Sequence, residues 1–377
     1  MNLRRTRAMA RKELLHIARD PRSMAMALAV PVIMLLLYGF GLTLDVDHIP
    51  TLIYDFDRTP ESREAIARFQ GSRYFQVLGT VNDYAAIERA IDRDRCLLGV
   101  VIQHDFARNL EAGRQAQVQL ILDGSDSNTA SIAQGYADAL LRSYAAEIRS
   151  SALMRKGGAK LEIPIDNRLR ALYNTELKSR NYIVPGLISV ILMIIAALIT
   201  SLTIAREWEM GTMEHLLATP LRPAELVLGK LAAFFTIGFA DMLIAIGVGI
   251  FVFRVPMRGN MLLLVISSCI FLFGALCWGI LISALTRSQL VAYQLGLLTS
   301  FLPAFLLSGF VYSIENMPVA IQAITYIVPS RYFVTILKGV FLKGVGIDVL
   351  WGELVFLFVF ASAVFFITTR KLRQKVA

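Results

Sequence analysis

The sequence predicts an α-helical polytopic membrane protein with six transmembrane helices and an inserted extracytoplasmic α/β domain. Three observations carry that prediction. Of 377 residues, 56% are hydrophobic and 18% charged, whereas a soluble domain carries about 25% charged residues. Six segments, 24–44, 183–204, 231–253, 261–285, 291–312 and 349–369, reach the roughly 20 apolar residues a helix needs to cross ~30 Å of hydrocarbon. Between the first and second lies a long polar stretch in which strand-like and helix-like runs alternate.

The elements follow in order. Residues 1–23 form a cytoplasmic, amphipathic N-terminal segment carrying Arg4, Arg5, Arg7, Arg11, Lys12, Arg19 and Arg22. The first span, 24–44, reads "MAMALAVPVIMLLLYGFGLTL". It is longer than the apolar part of a secretory signal and no small-residue cleavage site follows, so it reads as an uncleaved anchor. The tail "RKLRQKVA" adds four more bases. Both basic clusters abut apolar runs, so the net charge of +9 reads as positive-inside topology rather than nucleic-acid binding. Six spans with basic ends inside place both termini in the cytoplasm, 45–178 outside and 205–230 inside. Arg254 and Arg258 fall in an outer loop and run against the rule.

The outer domain, 45–178, contains strand-like "PTLIYD", "YFQVLG", "CLLGVVI" and "VQLILD". Its helix-like runs are "PESREAIARFQ", "VNDYAAIERAIDRD" and "NTASIAQGYADALLRSYAAEIRSSALM". In the last, Ile132, Tyr136, Leu140, Tyr144 and Ile148 make one apolar stripe. Gly157-Gly158 ends it, and "YNTELKSRNYIVPG" returns to the membrane with Pro185 in the first turn of the second span. From 183 to 377 the chain is a five-span core.

Motifs for chemistry are missing. Gly229-Lys230 has neither the preceding glycine nor the following Ser or Thr of a phosphate-binding loop. The four histidines, His16, His48, His104 and His215, are scattered, so no metal ligand is expected. "DGSDSNTA" lacks the sixth-position glycine and the twelfth-position Glu of a calcium loop; an Asx turn opening the long helix is the better reading. Cys96, Cys269 and Cys277 build no disulfide framework. The chain reads as non-catalytic, with no cofactor of its own. Asp241, near the middle of the third span, is either an intramembrane contact for substrate or ion, or the donor or acceptor of an interhelical hydrogen bond.

One cytoplasmic stretch is both charged and patterned: "REWEMGTMEHLLATPLRPAELVLGK", Arg206–Lys230. Arg206, Glu207 and Glu209 mark the exit from the second span, with Trp208 at headgroup level. Gly211 breaks the run, and Thr212 caps a short helix with Glu214 in its first turn. Met213, Leu216 and Leu217 share one face, and Thr219-Pro220 ends it. Such an element either lies in the interface or is a lever for another protein.

This stretch resembles the signature of ABC-2 type permeases, the membrane subunits of one class of ABC transporters. Arg206, Glu207, Glu209, Gly211, Thr212, Glu214, Leu216, Thr219, Pro220, Gly229 and Lys230 match its pattern. "LSGFVYSIENMPVAIQAITYIVPSRYFVTILKGVFLKGVG" is similar to the family's outer hairpin between the last two spans, with Pro318, Pro329, Arg331 and Tyr332 in its turns. "DGSDSNTA…GY" and "YIVPG" resemble the subgroup with a large extracytoplasmic domain, the Ybh-like multidrug and cation exporters. Thr175 stands where that subgroup has Pro.

The resemblance implies a type V exporter-like core in a bacterial inner membrane. It makes 206–220, with Trp208, the coupling helix that docks on a separate ABC ATPase subunit, present in two copies and binding the ATP. It makes 313–346 an outer re-entrant hairpin that closes the outer gate. It also implies a second permease half, identical or paralogous, contact with membrane lipid, and room for a periplasmic adaptor on the outer domain. The cargo would be a hydrophobic, amphiphilic or cationic compound. Two other classes stay open on the residues alone: a membrane-anchored receptor or scaffold with no ATPase partner, and a secondary transporter working through Asp241, although no internal repeat is apparent.

Overall fold

The computed structural model describes residues 2–19, 21–42, 46–155, 173–174 and 178–376. The chain divides into two compact units, Leu44–Leu169 and the remainder.

The smaller unit is an α/β domain. In chain order it contains β1 (Ile49–Asp55), α3 (Pro60–Gln70), β2 (Phe75–Val81), α4 (Tyr84–Ile91), β3 (Leu98–Ile102), α5 (Phe106–Glu111), β4 (Val118–Leu122) and α6 (Ser127–Arg155). The sheet order is β2-β1-β3-β4. β1 runs parallel to both β2 and β3, whereas β4 is antiparallel to β3. β3 is apolar at every position because it is covered on both faces. Gly99 lets α4 approach closely, since a Cβ there would lie 2.3 Å from Ile87 Cγ2. The four strands fall on the four strand-like runs, and α3 spans the same residues as its helix-like run. The expected stripe of α6 is displaced inward: Ala133 and Ala137 are buried with Tyr144, while Tyr136, Leu140 and Ile148 pack around them. A four-residue repeat drifts across a helix of 3.6 residues per turn, and the small alanines allow the closest approach. The "DGSDSNTA" segment is an Asx turn. Asp126 accepts hydrogen bonds from the Asn128 and Thr129 amides and the Thr129 hydroxyl. The hydroxyl bond is the main reason its carboxyl lies below its ordinary range. The Gly157-Gly158 break lies outside the described residues.

The larger unit is helical. α1 (Leu3–Ala18) and α2 (Pro21–Gly41) precede the α/β domain; α7 (Ser179–Glu209), α8 (Thr212–Leu217), α9 (Pro223–Gly247), α10 (Met261–Leu285), α11 (Gln289–Leu306), α12 (Val319–Thr325), α13 (Pro329–Lys338) and α14 (Ile347–Val376) follow it. A π turn, Val248–Val252, extends α9, and another, Gly339–Lys343, extends α13. Among the described residues, five helices are long and apolar enough to cross a membrane: Ser179–Glu209, Pro223–Val252, Met261–Leu285, Gln289–Leu306 and Ile347–Leu372. α12 with α13 makes a further pair bent by 81°, and Ala27–Gly41 is a shorter apolar helix.

Several expected limits move. The first span, placed at 24–44, ends as helix at Gly41, and 43–45 lie outside the described residues. The fifth, placed at 291–312, ends at Leu306, because Gly309 turns the chain with φ +74°. The second, placed at 183–204, runs from Ser179 to Glu209. Its extra N-terminal turn is held by Asn181, whose side-chain amide donates to Asn174 Oδ1 at 2.9 Å. Pro185 therefore lies inside α7 rather than in its first turn, and the Asn181 carbonyl loses its usual i+4 donor. α7 is the hub, packing against α2, α9, α10, α11 and α13. Its approach to α10 depends on Gly279, where a Cβ would fall 2.0 Å from Thr200 Oγ1 and 2.4 Å from the Ala197 carbonyl; small residues at such crossings let helix backbones meet.

Candidate functional site

The 206–220 stretch is not one helix. Arg206, Glu207, Trp208 and Glu209 are the last turn of α7, and the chain then reverses at Gly211. Gly211 has φ +70°, a left-handed conformation costing an L-residue roughly 1–2 kcal/mol. No atom lies within 4 Å of its missing Cβ, so the requirement for glycine is one of backbone alone. Gly211, not Thr212, occupies the N-cap position of α8. The Thr212 hydroxyl is instead turned to the Glu207 carboxylate, to which it donates. Met213 is buried as the shared apolar face requires, and Leu216 is half-buried.

Glu207 sits in a four-member charge cluster that joins distant parts of the chain. Lys230 Nζ lies 2.8 Å from Glu13 Oε1 and 3.4 Å from Glu207 Oε1. Lys12 Nζ lies 2.8 Å from the same Glu207 oxygen and 3.4 Å from Glu13. Lys230 is 1% exposed and Glu13 6%. Partial burial works against the Lys12 ammonium, yet the Glu207 hydrogen bond and the Glu13 and Glu207 charges outweigh it and hold its pKa above the usual value. The cluster ties α1 to the end of α7 and the second turn of α9.

Around it α1 is fastened twice more. Glu225, 1% exposed, accepts from the Arg222 amide at 3.2 Å, satisfying an orphan donor of the α9 N-terminus. It also accepts from the Asn2 amide at 2.6 Å. Arg5 lies 4.0 Å from Glu225 and donates to the Pro220 carbonyl. At Gly229 a Cβ would lie 2.6 Å from Met9 Cβ and 3.2 Å from the Thr6 carbonyl. We therefore expect Gly229→Val to push α1 off α9 at a cost of about 1–3 kcal/mol, read as a lower melting midpoint in detergent. An unchanged midpoint would contradict this packing.

Glu209 and Arg206 are tied to the turn at 286–289, between α10 and α11. Glu209 accepts from the Gln289 amide at 3.1 Å and from its side-chain amide, and Arg206 Nε donates to Gln289 Oε1 at 3.3 Å. Arg287 lies over the Trp208 ring at 5.2 Å. What remains outward is a short arc. Gly211, Glu214, His215, Thr219 and Pro220 are exposed, as is Met210, and no ion pair or hydrogen bond of the Glu214 carboxylate is found among the described residues. Beneath this arc is a mostly apolar cavity of about 660 Å³, lined by Arg206, Leu216, Thr219, Phe234 and Ile237 among others.

The other predicted residues lie elsewhere. Pro318 is the N-cap of α12 and Pro329 the first residue of α13, where a missing N–H costs nothing. Arg331 donates to Thr325 Oγ1 and lies 3.9 Å from the Tyr326 ring centroid. Tyr332 donates to the Tyr326 carbonyl at 3.0 Å and stacks on Phe356 at 3.7 Å. Asp241 is 1% exposed, and neither carboxylate oxygen has a hydrogen-bond partner among the described residues; the interhelical bond expected as one of its two roles is not made there. No group of three or more His, Cys, Asp or Glu residues able to hold a metal occurs among the described residues.

Sequence reasoning missed the contribution of α1. Its bases were read as topology signals, and Glu13 was passed over. The available signal was one buried-face acid, Glu13, four residues after Met9 on a helix otherwise rich in Arg and Lys.

Comparison with known proteins gives a concordant result. A family model described as an ABC-2 family transporter protein matches residues 21–370. Over 376 residues, covering 100% of this chain and 98% of the relative, the sequence is 37% identical to the Probable multidrug ABC transporter permease YbhS of Escherichia coli K12. It is 32% identical over 346 residues, 92% of each chain, to the Probable multidrug ABC transporter permease YbhR of the same strain. Similarity at 26% over 204 residues extends to ABC transporter G family member 20 of Dictyostelium discoideum, covering 54% of this chain and 28% of that protein.

Proposed function

The chain belongs to the ABC-2 transporter family, and from that premise we propose that it is the membrane-spanning permease subunit of an ATP-driven exporter. A separate ABC ATPase subunit, in two copies, binds and hydrolyses the ATP; this chain catalyses nothing. It works with a second permease half in a bacterial inner membrane, with both termini and the 206–220 stretch in the cytoplasm and the α/β domain outside. The cargo is a hydrophobic or amphiphilic, drug-like or cationic compound, and Asp241 is where the spans touch its polar or cationic part.

One observation carries this reading. In the 206–230 stretch the division of labour is physical: Glu207, Glu209, Glu225 and Lys230 are bonded to partners in this chain, while Gly211, Glu214 and Pro220 are exposed. A rigidly fastened element with an unpaired outward carboxylate can transmit a push from a docked protein to α7 and α9, because both helices end in it. Glu207 and Lys230 hold the lever to the spans; Arg206, Trp208 and Glu209 tie it to the 286–289 turn; Thr212 and Leu216 set the pose of α8. A ligand-driven change needs a different interaction energy in each state, and nucleotide-dependent docking on this arc supplies it. On the other side, Pro318, Pro329, Arg331 and Tyr332 shape the α12–α13 hairpin that closes the outer gate.

Isolation of the full chain in mild detergent from its native host tests the reading. An ABC ATPase should co-purify at one ATPase per permease half. Repeated isolation without any ATPase would favour the receptor reading, in which the α/β domain binds a ligand or an adaptor.

A further inference from the structure

A second cavity, of about 460 Å³, lies beside the α12–α13 hairpin and differs in kind from the first. One face of α13 forms a wall, with Arg331, Thr335 and Lys338 all lining it; at 1.5 Å rise per residue the two cations are about 10 Å apart along the helix. Tyr182 from α7 and Tyr326 line it as well.

The two cations have unusual company. Lys338 Nζ donates to the Gly309 carbonyl at 3.1 Å and lies 3.6 Å from the Tyr182 ring centroid. Tyr182 donates to that same carbonyl at 3.1 Å, which Gly309 can present because of its left-handed turn. Arg331 is met by the Thr325 hydroxyl and by the Tyr326 and Tyr332 rings. Neither cation has a carboxylate within 4 Å among the described residues, and the one acid on the cavity wall, Glu315, is exposed. Ring faces and neutral oxygens orient a cation but do not neutralise it, and half-buried charges without a counter-ion are costly. A third polar group on the wall is also unpaired. Ser308 is 2% exposed, and its hydroxyl has no hydrogen-bond partner among the described residues.

We infer that this cavity is a binding site for an anionic headgroup, phosphate or carboxylate, held between Lys338 and Arg331 with the Ser308 hydroxyl as an additional donor. The wall is largely polar and the volume suits a headgroup rather than an acyl chain; the same hairpin exposes the apolar Val319, Ile324 and Ile327. The site stands whether or not an ATPase partner exists.

The test uses the full chain alone in an uncharged maltoside detergent. Dihexanoyl phosphatidylglycerol, dihexanoyl phosphatidylcholine and inorganic phosphate are titrated while the melting midpoint is followed, which rises when a ligand binds the folded state. The phosphatidylglycerol should bind at least about tenfold more tightly than the phosphatidylcholine, since a hydrogen bond to a charged group contributes roughly one such factor. Phosphate binding equally well assigns the site to a soluble anion; phosphatidylglycerol binding better assigns it to a lipid headgroup. Lys338→Gln should weaken anion binding about tenfold or more. Ser308→Ala removes a hydroxyl that no described residue uses, so it should melt as the parent does yet bind about three- to tenfold more weakly. Failure of both anions to bind, equal binding of the phosphatidylcholine, or Ser308→Ala and Lys338→Gln variants that bind as the parent does would overturn the assignment.

Discussion

Glu214→Lys should abolish the coupling of ATP turnover to transport and leave the chain folded. The carboxylate is exposed, with no partner among the described residues, so exchanging it should change stability by less than about 0.5 kcal/mol. The loss of an acid from the first turn of α8 adds only a few tenths to that. Its value is external. A charge reversal in a docked interface costs several kcal/mol, enough for at least a tenfold fall in transport by reconstituted complex. Glu214→Gln should fall between parent and Lys. Transport at the parent rate by Glu214→Lys would remove this residue from the coupling surface.

Lys230→Met should be the most destabilising single change at the joint between α1, α7 and α9. Lys230 is almost fully buried and lies within ion-pair distance of both Glu13 and Glu207. Removing it strands those two carboxylates with only Lys12, which is half exposed. Breaking a buried pair from one side costs about 3–5 kcal/mol, a melting midpoint lower by on the order of 10 °C. Glu13→Gln alone should cost a similar amount, because it leaves Lys230 with only Glu207 at 3.4 Å. The double variant, Glu13→Gln with Lys230→Met, should recover part of the loss, since no unpaired buried charge then remains between them; residues in one ion-pair network are not additive. Strict additivity of the two single changes would contradict the cluster as described.

Local pattern was a good guide where local chemistry decides. The β strands of the α/β unit lie on the strand-like runs, and the apolar cores of α7, α9, α10 and α14 lie within the segments read as spans. Ends were misplaced where a distant residue decides. α7 continues to Glu209, whose carboxylate accepts hydrogen bonds from Gln289, and it begins at Ser179 with Asn174 and Asn181 bonded to each other. α5 was not foreseen, as six residues are too few for a periodic signal. At the candidate site the same division holds. Gly211's break and Glu214's place in the first turn of the short helix were visible in the stretch itself. The pairing of Lys230 with Glu13, 217 residues away, has no period and no local spacing, so only the folded chain shows that Glu207, Pro220, Gly229 and Lys230 meet α1. Thr212 illustrates the conflict in one residue: Thr is a good cap, but Glu207 beside it is a stronger acceptor than an α8 amide is a donor.

The central claim is that the 211–220 arc docks on the ATPase while the inward residues do not. A photo-crosslinking side chain placed at 214, and in a separate sample at 225, tests it most directly in the detergent-solubilised complex. A crosslink from 214 to the ATPase subunit that changes in yield with nucleotide is expected, and none to that subunit from 225, which is buried against Asn2 and Arg5. No crosslink from 214 to the ATPase in a complex that hydrolyses ATP and transports would contradict it.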